Sequence, residues 1–317
     1  MSQTMLDGSS HSHADGKCPA ADIFGPNRHA FCPPQDGDLR SPCPAVNTMA
    51  NHGYIPRDGK HLNADIIIPA LMECYNISKP FALVLTYGSL HLLQQGTKEF
   101  SLHDLARHGY IEHNASLCHA DAGPGEEYAP VHPDLKMMQE FFADSAGGLV
   151  MNTEDVARAR VRRESSYPGG SGLDLNHAVI ACGEISAVLN IFNHPDPQLV
   201  ARGVPLQPPS TFSWLFGLLG LARSPDPEIT PTDGVSINVL RRWLQEERLP
   251  EGWKPYHETT LRSILLTTNK MRSIMRKLRA EASVDEVNPS STTIASGVSA
   301  GIAATKDETS SSTGTVS

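Results

Sequence analysis

The chain has 317 residues, and 26 basic side chains against 35 acidic ones leave a formal net charge of −9. That balance excludes an electrostatic nucleic-acid binder, which needs a basic face. No apolar run approaches the roughly 20 residues that span a bilayer; the best, Phe212–Leu221, is short and contains Gly217 and Gly220.

At roughly 150 residues per domain, the length fits two domains or one large domain with tails, and the core is ample without disulfides. Residues 1–40, rich in Gly, Pro, Asp and Ser, show no helical period and read as extended, with 1–30 assigned as a flexible arm. Asn63 is placed to cap a helix whose apolar positions Ile66, Ile67, Ala70, Leu71 and Cys74 recur at spacings of three and four. A second apolar helix over 79–95 stops at Gly96, a left-handed cap. Ser101 opens a short helix ending near Gly109, and a further turn or helix carries 111–119. Pro133 starts a helix that ends at Gly147-Gly148, and Thr153 with Glu154 and Asp155 starts another, because acidic residues favour a first turn. Residues 175–192 read as a long buried helix closed by His194-Pro195. Shorter helices are expected at about 209–222, 236–247 and 258–280.

Alternating period-2 runs are missing, so the expected class is all-α: one compact helical domain over 31–280. The Ser/Thr-rich stretch at 281–317 cannot bury enough surface to offset chain entropy and is expected to be disordered. The last helix carries Arg262, Lys270, Arg272, Arg276, Lys277 and Arg279 beside Leu265, Met271, Ile274, Met275 and Leu278. That pattern suits a solvated face over an apolar stripe; a membrane surface or an acidic partner is the alternative.

Six cysteines are scattered without a C-x-x-C pair, which argues against structural zinc and thioredoxin-like sites. The first residues lack the basic and apolar regions of a secretory signal, so the expectation is an intracellular protein with reduced thiols. A secreted mature form is the alternative. His11 and His13 read as leader residues, and His108 and His113 lack metalloprotease spacing. Gly169-Gly170-Ser171-Gly172 has neither nucleophile-elbow nor phosphate-loop context and reads as a flexible loop.

The most informative tripeptide is Pro42-Cys43-Pro44. Two prolines stiffen the backbone, and the amides that follow can point at the sulfur and stabilise a thiolate. Such a cysteine suits an axial heme ligand, whose electron donation favours O–O cleavage; by itself the tripeptide is more often a turn with an inert cysteine. Downstream it continues Asn47-x-x-Ala50-Asn51-His52-Gly53-Tyr54-x-Pro56-Arg57-Asp58-Gly59. This string resembles the opening of the heme-thiolate peroxidases, the family of chloroperoxidase and the unspecific peroxygenases, and 31–59 matches nearly throughout. Cys18-Pro19 and Cys32-Pro33 are Cys-Pro pairs too, but only Cys43 has the downstream string.

The resemblance implies an all-helical fold around a buried heme b with Cys43 as axial ligand, and hydrogen peroxide as oxidant. Ile111-Glu112-His113-Asn114-Ala115-Ser116 is similar to the family's Glu-His-Asp-x-Ser motif. If helical, Glu112 and Ser116 stack on one face, giving an oxygen set suited to Mg²⁺ or Mn²⁺. By resemblance, Glu112, the His113 carbonyl and the Ser116 hydroxyl bind that cation with a heme propionate, and His113 orients the acid–base glutamate. Asn114 stands where the family has Asp; an amide carries no charge, so His113 is expected to be less basic and less firmly held. Glu184 is the lone carboxylate of an apolar helix and resembles the catalytic glutamate, with Ile180 and Val188 four residues to either side; together with Ile111 they are assigned to the substrate pocket. A buried Glu paired with Arg158 or Arg162 is the structural alternative. Arg242 to Pro255, containing Leu249-Pro250-Glu251-Gly252-Trp253, resembles the family's late signature and reads as a helix followed by a packed Trp.

The implied function is a peroxygenase or peroxidase acting with peroxide on small apolar organic substrates. A dedicated secondary-metabolite peroxidase or halide oxidant is one alternative, and a non-catalytic heme sensor is another. No oligomeric state is implied.

Overall fold

A computed structural model describes residues 28–287 except Thr97, 169–171 and 194–233. The helix expected near 209–222, most of the 1–30 arm with Cys18, and the tail from 288 lie outside the described residues. The chain divides into a unit through Leu278 and a second unit from Arg279, of which only the end of one helix is described.

Eight helices carry the described fold: α1 (Pro44–Asn51), α2 (Ala64–Tyr75), α3 (Lys79–Leu92), α4 (Leu135–Ala143), α5 (Thr153–Ser165), α6 (Leu175–Ile191), α7 (Ile237–Glu246) and α8 (Leu261–Val287). Their starts follow from side chains that satisfy the orphan N–H groups of a first turn. Asn63 caps α2 by accepting from the Ile66 amide, and Asp174 caps α6 by accepting from Asn176 and His177. Asn152 and Asp155 form a reciprocal capping box on α5. Leu102–Ala106 is a 3-10 turn opened by a Ser101–Asp104 box, in place of a longer helix reaching Gly109.

Three segments depart from the sequence expectation. Helix α1 was not expected, because two prolines read as non-helical; in fact Pro44 occupies the first turn, where its missing N–H costs nothing, and Cys43 is the extended N-cap residue. Val150–Asn152 and Gly234–Ser236 pair as two antiparallel strands, β1 and β2, each of three residues and too short to show a period. Residues 111–119 are not helical: Ala115 takes a left-handed φ of 62°.

The core positions the Cys43 helix directly. Phe192 stacks within 5.0 Å of both Trp243 and Trp253, and Tyr75 meets its edge at 6.3 Å. The Tyr75 hydroxyl donates to the Ala45 carbonyl at 2.9 Å and accepts from Trp243 Nε1 at 3.3 Å, while Trp253 Nε1 donates to the Cys74 carbonyl at 2.8 Å. Four distant segments therefore converge beneath the first turn of α1. Helix α8 packs through Ile264, Met271 and Met275, whereas Leu265 is exposed rather than part of its apolar stripe. No helix among the described residues is long and apolar enough to cross a membrane. Cys32 is disulfide-bonded and buried, against the expectation that all thiols are reduced. Cys43, Cys74, Cys118 and Cys182 are free.

Candidate functional site

The motif around Cys43 is mostly scaffold. Asn47 is fully buried: its Nδ2 donates to the Ser41 carbonyl and to Glu247, and its Oδ1 accepts from the Ser41 amide at 2.9 Å. One turn later Asn51 accepts twice from Arg40 and donates to the Glu247 carbonyl. These bonds lock the loop before Cys43 to the end of α7. His52 Nδ1 donates to the His29 carbonyl, which leaves Nε2 to accept from the Leu249 amide at 3.1 Å. Arg57 ties down the Asn51 and Ala30 carbonyls. Gly59 has a φ of 69°, and a Cβ there would lie 2.2 Å from the Leu39 carbonyl oxygen, so only glycine fits.

Water reaches the Cys43 thiol, although protein crowds it elsewhere. Desolvation pushes the thiol up to about 11, against hydrogen bonds from the Val46 and Ala45 amides at the start of α1. The negative potentials of Glu184 and Glu247 also reach this sulfur and raise it further.

On the other side, Glu184 projects from α6 with its side chain 59% exposed and pairs with His113 at 3.5 Å, Nε2 to Oε2. This is an ion-pair distance rather than a short hydrogen bond. Glu184 is thus neither buried nor held by an arginine: Arg158 pairs with Asp155, and Arg162 with Asp144 and Glu140. His113 Nδ1 donates to the backbone carbonyl of Asn114 at 2.6 Å. The main chain, not the Asn114 side chain, holds the ring, which corrects the expectation that the missing Asp carboxylate leaves it loose. With Nδ1–H committed to a carbonyl, Nε2 faces a carboxylate, and one proton must lie between them. Burial pulls His113 down, but the hydrogen bond and charge of Glu184 outweigh it and raise its affinity for a proton.

Ile180 and Val188 flank Glu184 on the same face of α6 and are half-buried, as is Ile111. Sequence reasoning missed His177, one face-repeat before Glu184, whose ring lies 5.6 Å from that of His113 and bonds Asp174 and the Tyr110 carbonyl. Its spacing of seven from Glu184 was the available signal.

The oxygen set is arranged differently from the helical stack. The Glu112 carboxylate is 8% exposed and accepts from His108 Nδ1 at 2.7 Å. The Ser116 hydroxyl accepts from the Cys118 and His119 amides. Among the described residues no group of three His, Cys, Asp or Glu could hold a metal ion. One protein carboxylate, one hydroxyl and one carbonyl would need further oxygen ligands, such as a propionate, to complete a hard-cation site.

A heme is compatible with the donors present. A free thiol at a helix start has two amides aimed at it, and a carboxylate whose potential reaches it pairs with His113. Two buried nitrogens, Arg160 Nε and His119 Nε2, have no hydrogen-bond partner, and the arginine nitrogen can donate to an ordered water.

Comparison with known proteins gives the family. The family model described as Peroxidase, family 2 matches residues 29–258. A dothistromin biosynthesis peroxidase, dotB, of Dothistroma septosporum is 50% identical over 58 residues, covering 18% of this chain and 14% of that protein. An aromatic peroxygenase of Coprinellus radians is 30% identical over 171 residues, 47% of this chain and 65% of its own length. A chloroperoxidase of Leptoxyphium fumago is 26% identical over 186 residues, 54% and 50% of the two chains. In each case the chain spans less than two thirds of the relative's length.

Proposed function

This chain belongs to peroxidase family 2, and from that premise we propose that it is a heme-thiolate peroxygenase or peroxidase. It would use hydrogen peroxide to oxidise or oxygenate small apolar organic molecules. Cys43 would hold the heme, which when bound would supply cleavage of the peroxide O–O bond and transfer of oxygen or electrons to substrate. With a metal bound, the Val46 and Ala45 amides would help hold the Cys43 sulfur as a thiolate, against the effect of burial.

Glu184 Oε2 takes a proton from incoming peroxide and returns it to the departing oxygen as water. His113 Nε2 orients that carboxylate, and the Asn114 carbonyl fixes the tautomer that lets it do so. Glu112, the His113 carbonyl and Ser116 would supply the protein ligands to Mg²⁺ or Mn²⁺. Ile111, Ile180 and Val188 would form the apolar wall that selects the substrate and keeps water from competing.

The observation that carries this reading is the His113–Glu184 pair, whose carboxylate potential reaches the free Cys43 thiol. The test is one optical spectrum of the heme-loaded protein, reduced under carbon monoxide, for wild type and Cys43→Ala. A thiolate band that survives the substitution overturns the assignment. A second reading, a peroxidase dedicated to one biosynthetic product, is favoured by the 50% identity to dotB; a broad panel of aromatics and alkanes with added peroxide separates the two. The Cys32 disulfide suits an oxidising compartment, which favours secretion over the intracellular expectation.

A further inference from the structure

The loop that presents His113 is held by one face of α5, and no role has been assigned to that face. Arg160, Arg163, Glu164 and Tyr167 follow at spacings of three and four, so they line one side of the helix and its end. Arg160 Nη1 donates to the Ala115 carbonyl at 2.6 Å, and its Nη2 to Glu164 at 2.6 Å; both side chains of this pair are almost fully buried. The Ala115 amide donates to the Tyr167 hydroxyl at 2.8 Å and to Asp121 Oδ1 at 3.0 Å. That hydroxyl in turn donates to Asp121 Oδ2. Arg163 completes the set, binding Asp121 at 2.9 Å and the Ser116 carbonyl at 3.1 Å while lying over the Tyr167 ring.

Both polar groups of one residue are therefore gripped, and that residue is Ala115, in the left-handed conformation that only a minority of non-glycine residues adopt. Without outside bonds an alanine has no reason to stay there. The reversal at Ala115 turns the chain two residues after His113. Gly172 belongs to the same device: its φ is 71°, and a Cβ would lie 2.6 Å from the Tyr167 ring.

We infer that Arg160 and Tyr167 are positioning residues that clamp the carbonyl and the amide of Ala115, holding the left-handed turn that sets His113 against Glu184. This rests on the acid–base reading of His113 and Glu184 given above. Buried ion pairs of this kind contribute little net stability; here Nη1 and Nη2 are both bonded, one to the turn and one to Glu164. The turn, rather than global stability, is what the clamp serves.

The test uses the purified, heme-loaded protein and three variants. Tyr167→Phe removes one hydroxyl and keeps the ring; Arg160→Gln keeps a donor and removes the charge; Arg162→Gln, on the outward face, is the control. Two readouts are followed beside melting temperature: hydrogen exchange of the Ala115 amide, and the pH profile of cyanide binding to the ferric heme. For Tyr167→Phe the expected result is exchange faster by about tenfold or more and cyanide association slower by about fivefold or more with an altered pH profile. The heme spectrum stays wild type. Arg160→Gln should do the same wherever it folds, and Arg162→Gln should do neither. Wild-type exchange in Tyr167→Phe overturns the clamp. Faster exchange with an unchanged cyanide profile overturns its role in placing His113. If the wild-type protein shows no thiolate heme spectrum, the functional reading fails, and the exchange result still decides the clamp.

Discussion

His52 and His113 are equally buried, at 7% and 8% exposure, yet the protein drives them in opposite directions. Burial takes His52 down to about 4, because its bonds go to a neutral carbonyl and an amide and the charges near it, Arg57 and Arg248, are cationic. His113 suffers the same desolvation but faces Glu184, whose hydrogen bond and charge win. On the Cys43 side His52 is thus held neutral, with both ring nitrogens bonded. The Glu184 side keeps a proton between two groups and leaves the carboxylate open to solvent. A thiolate ligand needs a fixed seat, and an acid–base pair needs a mobile proton; the two histidines record that division.

The largest expected effect would sharpen this contrast from the Glu184 side. Glu184→Gln should lower peroxide turnover by roughly 10²- to 10⁴-fold with the thiolate heme spectrum intact, measured by steady-state kinetics and absorbance on the same sample. A parallel loss of the heme spectrum would show that Glu184 supports the fold rather than the proton. On the Cys43 side, Asn47→Ala leaves the Ser41 backbone and Glu247 without their buried partner. It should destabilise by about 2–4 kcal/mol, read from the denaturant midpoint, and release heme more readily.

Acid should weaken the same scaffold. His52 is neutral in the fold down to about 4 but titrates near 6.5 when unfolded. Its contribution is therefore present above pH 6.5 and is lost as pH falls toward 4, by up to about 3 kcal/mol. Urea midpoints at pH 7 and 4.5 should show that slope, and His52→Gln should flatten it; an unaltered slope assigns the acid sensitivity elsewhere. The smallest effect is expected for Asn114→Asp. Because the backbone carbonyl already holds His113 Nδ1, turnover should change by less than about threefold, or under 0.7 kcal/mol. A rise of a hundredfold would restore the view that the side chain at 114 governs the imidazole.

How far the sequence could be read follows the range of the forces involved. The cap at Asn63 was legible and the start of α5 was placed within one residue of its Asn152 cap, since a cap needs only the next three residues. Helix α1 was hidden by proline grammar, and β1 with β2 by their length. Gly96 does turn left-handed, but α3 has already ended at Leu92. The helical stack of Glu112 on Ser116 failed for a non-local reason: Arg160, Asp121 and Tyr167 bond the backbone of Ala115 and hold a turn that local propensity would not choose.

The helical class was determined by the sequence itself, and the sequence singles out Cys43 among six cysteines. Cys43 could be singled out because most of its scaffold, from Arg40 to Gly59, lies within one turn-rich stretch whose residues bond one another. Packing of α5 and α6 decided the rest: that Glu184 meets His113 and not an arginine, that a carbonyl replaces the missing carboxylate, and that one helix face grips Ala115. Those contacts join segments far apart in the chain, and no local pattern encodes which pairs a tertiary core will bring within 3.5 Å.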